Sequence, residues 1–386
     1  MDAVTRLLSD LVAIPSINPM GRPLSGPNYL ERGVTDYLDA WFRDRGVRYE
    51  RQNIAPGRDN VIAWYDAPKS RQTILFDAHQ DTVPAEGMSI DPFDPVVRSG
   101  RLYGRGSCDI KGGLAGMLMA FDRLVKERPA GSASVVMACT VDEEFTHTGS
   151  SRLAATDLGA ILGVVAEPTM LDVVNCHKGA VRWKIRTHGT ACHSSTPALG
   201  DNAIYRMAAV VSALAEHACQ LAADPAHPVL GRPSLSVGRI EGGQSVNVVP
   251  DLCEIEIDRR IIPGESPESV IARVSELLRS KFGPTDNVEF LPPWVKMPAL
   301  APEGCGSAPW LEPVRAAVAS VLGKTPDVRG VPFGTDAGPL GQAGLPCFVF
   351  GPGDIAQAHT KDEWVELDQV RASADAYFAI ACGLGG

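Results

Sequence analysis

The chain has 386 residues, of which 45% are hydrophobic and 21% are charged, a composition typical of a globular protein with a sizeable core. This length exceeds what one hydrophobic core usually supports, so we predict two lobes. The formal net charge of -10 excludes non-specific binding to nucleic acid or to an anionic membrane, because both require a basic face.

The N-terminus and the cysteines predict a cytoplasmic protein. Asp2 and Asp10 interrupt a helical period near the start, and no cationic segment leads into a long apolar run as in a secretory signal. The nine cysteines form no CxxC pair, and an odd number cannot all pair within one chain, so reduced thiols are expected. No apolar stretch approaches the roughly 20 residues of a membrane span.

Helices and strands alternate in the first part of the chain. Apolar residues recur at helical spacing over 4–12 and again over 30–41. A glycine-bounded helix is expected over about 113–126, between apolar runs that predict the strands Val61–Tyr65, Thr73–Phe76, Ser134–Val141 and Ile161–Ala166. Strands separated by helices predict a largely parallel sheet covered on both faces, with its ligand sites beyond the strand ends.

The pattern changes beyond Lys178. Several alternating strands and two helices follow, with few polar motifs except at their edges, which indicates an α+β lobe inserted into the first. From residue 292 the order of helix then strand resumes, with a helix over 309–322 and a strand over 346–350. We therefore predict a first domain of residues 1–177 and 292–386, interrupted by a second domain of residues 178–291.

His79 and Asp81 directly follow the predicted strand Thr73–Phe76. Residues two apart on an extended segment point to the same side. The imidazole could therefore bind a metal while the carboxylate fixes its tautomer. Alone, such a pair is more often an ordinary surface or capping feature.

Further acids at strand ends favour a metal site. Asp109 is flanked by four glycines before a helix, which it could otherwise merely cap. The acidic run 142–144 ends a strand, where three adjacent carboxylates are either solvated or neutralised by a cation. Glu167 closes the next strand, and His359 follows a strand near the C-terminus. Five residues thus offer ligands for two zinc-like ions with one bridging carboxylate: His79, Asp109, Glu144, Glu167 and His359.

Seven motifs lie in register with a known family. They are HQDTVP, GRGSCDIKGG, DEE, AEPT, GTACHSSTPALGDNAI, NVVPD and GPGDIAQAHTKDE. Over residues 79–363 the chain resembles the dinuclear-zinc deacylases and exopeptidases, among them acetylornithine deacetylase, succinyl-diaminopimelate desuccinylase, aminoacylase and glutamate carboxypeptidase. The resemblance implies an α/β, zinc-exopeptidase-like catalytic domain with a mixed sheet flanked by helices. It also implies an inserted α+β lid and dimerisation domain.

The same resemblance assigns the ligands. Asp109 bridges two zinc ions, for which cobalt can substitute. His79 and Glu167 complete one ion's site, and Glu144 and His359 complete the other's.

Two further acids receive roles by this resemblance. Asp81 orients His79. Glu143 is the general base that takes a proton from the attacking water and passes it to the leaving amine, which requires a carboxyl pKa near working pH. The remaining histidines, including His147, have no partner motif and receive no role.

The inserted lobe supplies three further residues by resemblance. His193 reaches the site of a partner subunit and stabilises the oxyanion, which implies a homodimer. Arg260, at a DxR spacing from Asp258, binds the substrate carboxylate with help from Asn247. Arg259 does not match that spacing, and its replacement by alanine is expected to be nearly silent.

These features predict a metal-dependent hydrolase that cleaves the amide of an N-acyl amino acid, a small molecule with a free carboxylate. The alternative is a metallo-exopeptidase such as a glutamate carboxypeptidase or dipeptidase, because the motif around His359 occurs in both groups. A preference for the deacylase rests on the EPT and HKG segments. A catalytically silent ligand-binding paralogue is the third hypothesis, against which the presence of Glu143 and of every candidate ligand argues.

Overall fold

A computed structural model describes residues 1–283 and 287–385. Within those residues the chain forms ten α-helices and eighteen strands, besides short helical turns. The helices are α1 (Ala3–Val12), α2 (Arg32–Asp44), α3 (Gly112–Glu127), α4 (Thr148–Ala154), α5 (Ala203–Leu221), α6 (Pro267–Phe282), α7 (Pro302–Cys305), α8 (Leu311–Leu322), α9 (Ala337–Gln342) and α10 (Leu367–Gly383). None of them is long and apolar enough to cross a membrane.

The strands that precede the fifth helix include most of the large sheet. They are β1 (Arg48–Ala55), β2 (Arg58–Tyr65), β3 (Thr73–His79), β4 (Val96–Arg98), β5 (Arg101–Tyr103), β6 (Ser134–Thr140), β7 (Leu162–Val165), β8 (Val173–His177), β9 (Gly179–His188) and β10 (Cys192–His193). The later strands are β11 (Ser234–Gly242), β12 (Val248–Val249), β13 (Leu252–Ile261), β14 (Val288–Phe290), β15 (Val295–Met297), β16 (Val328–Val331), β17 (Cys347–Val349) and β18 (Trp364–Glu366).

The chain divides into two compact units. Unit 1 comprises Met1–Cys176, Leu300–Gly330 and Thr335–Gly386, and unit 2 comprises His177–Ala299 and Val331–Gly334. Unit 2 therefore extends beyond the segment 178–291 that the sequence suggests, because β15 pairs with β9 and so belongs to the second sheet. Each unit has its own buried hydrophobic cluster.

Almost all of the eight-stranded sheet lies in unit 1, in the order β1-β2-β6-β3-β7-β17-β8-β16. The central strands β6, β3, β7 and β17 run parallel to one another. The edge strand β1 pairs antiparallel with β2, as do β2 with β6 and β17 with β8. The sheet is therefore mixed, and the expectation of a largely parallel sheet holds only at its centre. Strand β1 is hard to predict from the sequence, because its residues are mostly polar and none of them is fully buried.

The parallel centre of the sheet explains where the acidic motifs meet. The carboxyl ends of parallel strands lie at one edge, and ligand sites of open α/β sheets form there. Helices α3 and α10 belong to the same core, in which the buried Tyr377 hydroxyl donates to the Phe350 carbonyl at 2.6 Å. Four segments thus leave the sheet at a common edge, after β3, β6, β7 and β17.

Unit 2 is an antiparallel sheet with two helices. Its strands run in the order β11-β13-β9-β14, and β15 also pairs with β9. Burial alternates along β9 and β13, so that one face joins α5 and α6 in a core that contains Trp183 and Leu214. The opposite face carries ion pairs such as Arg182 with Asp258, at 2.7 Å.

Candidate metal centre

Five carboxylate and imidazole side chains converge at the edge where the parallel strands end. His79 is the last residue of β3, and Glu167 follows β7 by two residues. Glu144 follows β6, and His359 lies in the segment between β17 and β18. Asp109 lies in the turn that leads into α3. The structure therefore brings all five ligands suggested by the sequence into one cluster within unit 1.

The five residues form two trios that share one carboxylate. In the first trio, the ligand atoms of His79, Asp109 and Glu167 all lie within 4.8 Å of one another. Asp109, Glu144 and His359 form the second trio under the same limit. His79 Nε2 lies 3.2 Å from Asp109 Oδ1, and His359 Nε2 lies 3.3 Å from Asp109 Oδ2. The two oxygens of Asp109 thus face different trios, as a bridging carboxylate would require.

The charges of the cluster favour bound cations. Burial and the Asp109 carboxylate raise the pKa of Glu167 well above its usual range, and the same causes raise the pKa of Glu144. Burial opposes protonation of His359, yet Asp109 and Glu144 raise its pKa to about 11. The buried carboxylates repel one another unless positive charge lies nearby. In the protein without bound metal, protons supply that charge. Divalent metal ions fit the same demand, and this nitrogen and oxygen donor set suits zinc or similar ions.

Asp81 positions the acidic run rather than only the neighbouring imidazole. Its carboxylate is fully buried and accepts the backbone N–H groups of Glu143 at 3.1 Å and Glu144 at 3.2 Å. Asn18 Nδ2 donates to the same carboxylate at 2.8 Å. His79 Nδ1 lies 2.9 Å from the backbone oxygen of Asp81 but 3.6 Å from its carboxylate. The closer oxygen for fixing the His79 ring is therefore the backbone carbonyl.

The turn that carries Asp109 is fixed by Glu363. One oxygen of this buried carboxylate accepts the N–H groups of Cys108 at 2.9 Å and Asp109 at 3.0 Å. The other accepts the Gly106 N–H at 3.0 Å and Arg105 Nη1 at 2.6 Å. Gly106 has φ 81°, a left-handed conformation that favours glycine. The glycine-rich motif therefore wraps its backbone around one carboxylate and presents Asp109 to the cluster.

A third buried group adjoins the cluster. Ligand-type atoms of Glu143, His147 and Asp336 lie within 4.8 Å of one another. The Thr140 hydroxyl lies 2.9 Å from Asp336 Oδ2 and 3.0 Å from Asp77 Oδ1. It has only one hydrogen, so it can donate to only one of these oxygens, and the other contact needs a proton on the carboxyl group. Burial and the Asp336 carboxylate raise the pKa of Asp77 well above its usual range, so that Asp77 can carry the second proton.

The sequence alone assigns no role to three of these residues. Glu363 closes the motif that contains His359, and His147 follows the acidic run by three residues. Both positions are visible in the sequence, but neither residue type at that spacing indicates a particular chemistry. Asp336 precedes the short helix α9, and only the fold places it beside residues from β6 and the acidic run.

His193 and Asn247 lie in unit 2, away in sequence from every candidate ligand. His193 is exposed in the short strand β10, which pairs with β12, and its Nδ1 lies 2.8 Å from the Ser195 hydroxyl. Asn247 is exposed immediately before β12. Its carbonyl accepts the Ser194 N–H at 3.0 Å. The structure therefore brings the two motif segments together within unit 2.

Arg259 and Arg260 occupy opposite faces of β13. Arg260 is partly exposed, and its Nε donates to Asp258 Oδ1 at 2.8 Å. The side chain of Arg259 is only 1% exposed and pairs with Glu265 at 2.6 Å. The prediction that replacing Arg259 leaves kcat/KM nearly unchanged stays a prediction, but the replacement would remove one partner of a buried ion pair and so lower stability.

Comparisons with known proteins agree with the geometry. The sequence model of peptidase family M20/M25/M40 matches residues 75–382. The acetylornithine deacetylase of Myxococcus xanthus is 32% identical over 364 residues, which cover 92% of each chain. The acetylornithine deacetylase of Vibrio campbellii is 31% identical over 350 residues, which cover 89% of each chain.

Solved structures share the fold over the whole chain. The M20 family metallo-carboxypeptidase Sso-CP2 from Sulfolobus solfataricus aligns with a TM-score of 0.76 at 18% identity, and all of both chains is covered. The YXEP protein of Bacillus subtilis, a dinuclear metal-binding peptidase of the M20 family, aligns with a TM-score of 0.70 at 17% identity. That alignment covers 98% of this chain and 96% of the other.

Proposed function

Because the chain belongs to peptidase family M20/M25/M40, we propose that it is a two-zinc deacylase that hydrolyses N-acyl amino acids. The observation that carries this proposal is the pair of ligand trios that share Asp109. The relatives that are 31% and 32% identical over most of their length are acetylornithine deacetylases, which favours an N-acyl amino acid as the substrate class.

Asp109, His79 and Glu167 would hold one ion, and Asp109, Glu144 and His359 the other. When bound, two such ions polarise a carbonyl and acidify a water molecule toward neutral pH. These residues would hold the ions at one edge of the sheet, where Asp81 and Glu363 fix the segments that carry the ligands. Cobalt is the expected substitute for zinc, since it accepts the same nitrogen and oxygen donors.

Glu143 is the proposed general base. It does not belong to either ligand trio, although it is adjacent to Glu144 and is only 8% exposed. It takes one proton from the water whose oxygen attacks the acyl carbon. It then delivers that proton to the nitrogen as the C–N bond breaks. Burial and the nearby Glu167 carboxylate raise the pKa of Glu143, in the direction that proton transfer near neutral pH requires.

Unit 2 supplies the proposed substrate-binding residues. Arg260, with help from Asn247, binds the free carboxylate of the substrate. Its guanidinium suits this role because it can bind both carboxylate oxygens. The positive charges of Arg260 and Arg259 contribute, after burial, to a lowered pKa of Lys178, so that cationic groups cluster here. His193 stabilises the developing oxyanion in the partner subunit's site, a role typically worth about 3–4 kcal/mol.

The homodimer is part of the proposal. Leu199 and Tyr205 of unit 2 are each 76% exposed, and Val246 is 98% exposed. Tyr205 and Val246 line the same surface depression, and exposed apolar side chains that lie together are typical of protein interaction sites. Strand β11 lies at the edge of its sheet, where a second chain can pair. The nine free cysteines, of which six are buried, fit the reducing cytoplasm that we propose as its location.

Metal depletion tests the two-ion requirement. Chelation followed by dialysis should abolish hydrolysis of N-acyl amino acids, and two equivalents of zinc or cobalt per chain should restore it. Magnesium serves as a control, because it prefers oxygen-only octahedral coordination. Full activity of protein shown by elemental analysis to be metal-free would contradict the proposal.

A substrate panel tests the proposed reaction class. N-acetylated and N-succinylated amino acids with different side chains are compared with dipeptides that carry the same C-terminal residue. We expect the highest kcat/KM for an N-acyl amino acid. Faster hydrolysis of the dipeptides would instead identify a metallo-exopeptidase. Binding of these ligands without any turnover by the zinc-loaded protein would identify a silent paralogue.

A further inference from the structure

The carboxylate of Glu143 faces a buried imidazole that lies outside both ligand trios. His147 Nδ1 lies 3.7 Å from Glu143 Oε1 and 3.2 Å from Asp336 Oδ1. His147 is 6% exposed and Asp336 is 1% exposed. A ring nitrogen between two carboxylate oxygens is stable only as an N–H donor, because its lone pair would be repelled by both.

Asp336 fixes the orientation of the His147 ring. One of its oxygens accepts from His147, and the Thr140 hydroxyl lies 2.9 Å from the other. Thr140 is the last residue of β6, and Asp336 directly precedes α9. The imidazole is therefore fixed by a chain of contacts to two regular elements. A flexible surface partner could not restrict it to the same degree.

A purely local role does not account for His147. Its φ of 55° lies in the left-handed region, which glycine and asparagine also adopt readily. Its backbone N–H donates to the Asp142 carbonyl at 2.7 Å, a bond that any residue except proline could make. The backbone therefore requires the conformation but not the imidazole. The imidazole is buried against two carboxylates.

We propose that His147, backed by Asp336, is a positioning residue that orients the Glu143 carboxylate for proton transfer. The inference rests on the proposed function, because it assigns a partner to the proposed base. The Nδ1–H donates to Asp336, and its positive charge density, 3.7 Å from Glu143 Oε1, attracts that oxygen electrostatically. The second oxygen of Glu143 is then free for the water. Misplacing a reacting group by about 1 Å can cost roughly 10²-fold in rate. His147 would thus act on kcat with little effect on substrate binding.

Two substitutions separate the side chain from the backbone conformation. His147→Gly preserves the left-handed backbone and removes the donor, so kcat should fall about 10–100-fold while KM changes less than about threefold. His147→Asn also tolerates this backbone and returns an N–H near the Nδ1 position, so it should recover most of the lost kcat. Both variants should keep the metal content of the unchanged protein. Equal kcat in His147→Gly and the unchanged protein would overturn the inference.

A double-mutant cycle asks whether His147 acts through Glu143. In the Glu143→Gln background, His147→Gly should cause little further loss of the residual activity, since the group it orients is already gone. Multiplicative losses would show that His147 acts independently of Glu143 and would overturn the proposal. An unchanged kcat in Glu143→Gln alone would instead refute the general base of the proposed function.

A control and a metal count complete the test. His188 forms an exposed pair with Glu289 at 3.0 Å, so His188→Gln removes a histidine–carboxylate contact far in sequence from the proposed base and should not change kcat. Elemental analysis of the zinc-loaded protein should give two ions per chain. A third ion that is lost in His147→Gly would show that Glu143, His147 and Asp336 are ligands, and would overturn the positioning role.

Discussion

Glu143 and Glu144 are adjacent in the chain but face different groups. Glu144 Oε2 lies 3.2 Å from His359 Nε2 and belongs to a ligand trio. Glu143 Oε1 lies 3.7 Å from His147 Nδ1 and belongs to neither trio that contains Asp109. Two consecutive residues of the chain are therefore a candidate base and a candidate ligand.

This separation predicts opposite phenotypes for the two glutamine variants. Glu143→Gln should retain close to two metal ions per chain while kcat falls by the roughly 10²–10⁴-fold typical of a lost general base. Glu144→Gln should bind less metal, because a neutral amide is a poorer ligand than a carboxylate. Metal analysis beside kcat distinguishes the two. If the variants showed each other's behaviour, the assignment of this pair would be reversed.

The two adjacent arginines predict a similar contrast between stability and recognition. Arg259→Ala should lower the free energy of unfolding by up to about 3 kcal/mol, because it removes the buried partner of Glu265, which keeps only the Ile262 N–H and the half-exposed Arg273 at 3.8 Å. Arg260→Ala should change stability by at most about 1 kcal/mol. It should nevertheless lower kcat/KM for substrates with a free carboxylate by the equivalent of about 2–5 kcal/mol.

Urea denaturation measures the stability of both arginine variants, and amidated substrates test the recognition. Amidation of the substrate carboxylate should remove most of the difference between Arg260→Ala and the unchanged protein, since the same contact is then already lost. Amidated substrates that are cleaved as well as the free acids would exclude the carboxylate pocket. An unchanged unfolding free energy in Arg259→Ala would contradict its structural role.

At the scale of elements, the positions of the candidate ligands at strand ends can be predicted from the sequence. The contacts that fix the segments carrying those ligands cannot. The runs before His79, the acidic run 142–144 and Glu167 are strongly apolar, so the strands and their ends can be predicted. Parallel pairing then brings these ends together. The contacts of Glu363 and Asp336 cannot be predicted in this way. They depend on the path of irregular segments, for which periodicity gives no signal.

The role of one such irregular segment, the turn that carries Asp109, can be tested by mutation. Glu363→Gln replaces one of two accepting oxygens by an NH₂ group, which cannot accept the backbone N–H groups or Arg105. The turn should loosen, and metal affinity should fall by about 10–100-fold, as for other groups that orient ligands. Titration with zinc in a competing chelator measures the change.

A matched control exists on the neighbouring strand. Glu366 pairs with Arg101 at 2.7 Å, but both side chains are more than one third exposed. Glu366→Gln should therefore leave metal affinity unchanged and alter stability by less than about 1 kcal/mol. Equal metal affinity in Glu363→Gln and Glu366→Gln would show that the turn holds Asp109 without help from Glu363.

At the scale of the whole molecule, the sequence predicts the mixed α/β fold and an inserted α+β segment. The limits of that segment are less visible. Val295–Met297 lies beyond Pro292 and Pro293, where the sequence pattern places the limit, and only its pairing with β9 assigns it to unit 2. Residues 331–334 also belong to unit 2, and no local sequence pattern predicts this. Long-range pairing, which depends on the complete chain, decides both boundaries.

The last prediction concerns the assembly of two chains. If His193 acts in the partner's site, Glu143→Gln and His193→Ala are each inactive for different reasons. A mixed dimer would combine the intact Glu143 of one chain with the intact His193 of the other. Random exchange of equal amounts makes half of the dimers mixed, each with one intact site, so activity should reach about a quarter of that of the unchanged protein.

The experiment requires dimers whose composition is known. The two variants are mixed under conditions that permit subunit exchange, and native mass spectrometry verifies the heterodimers before activity is measured. If His193 acted within its own chain, every site of the mixed dimer would contain one defect, and no activity would return. Inactive heterodimers would therefore refute action between subunits. A monomeric mass for the unchanged protein would refute the homodimer itself, and recovered activity would support a site that two chains complete together.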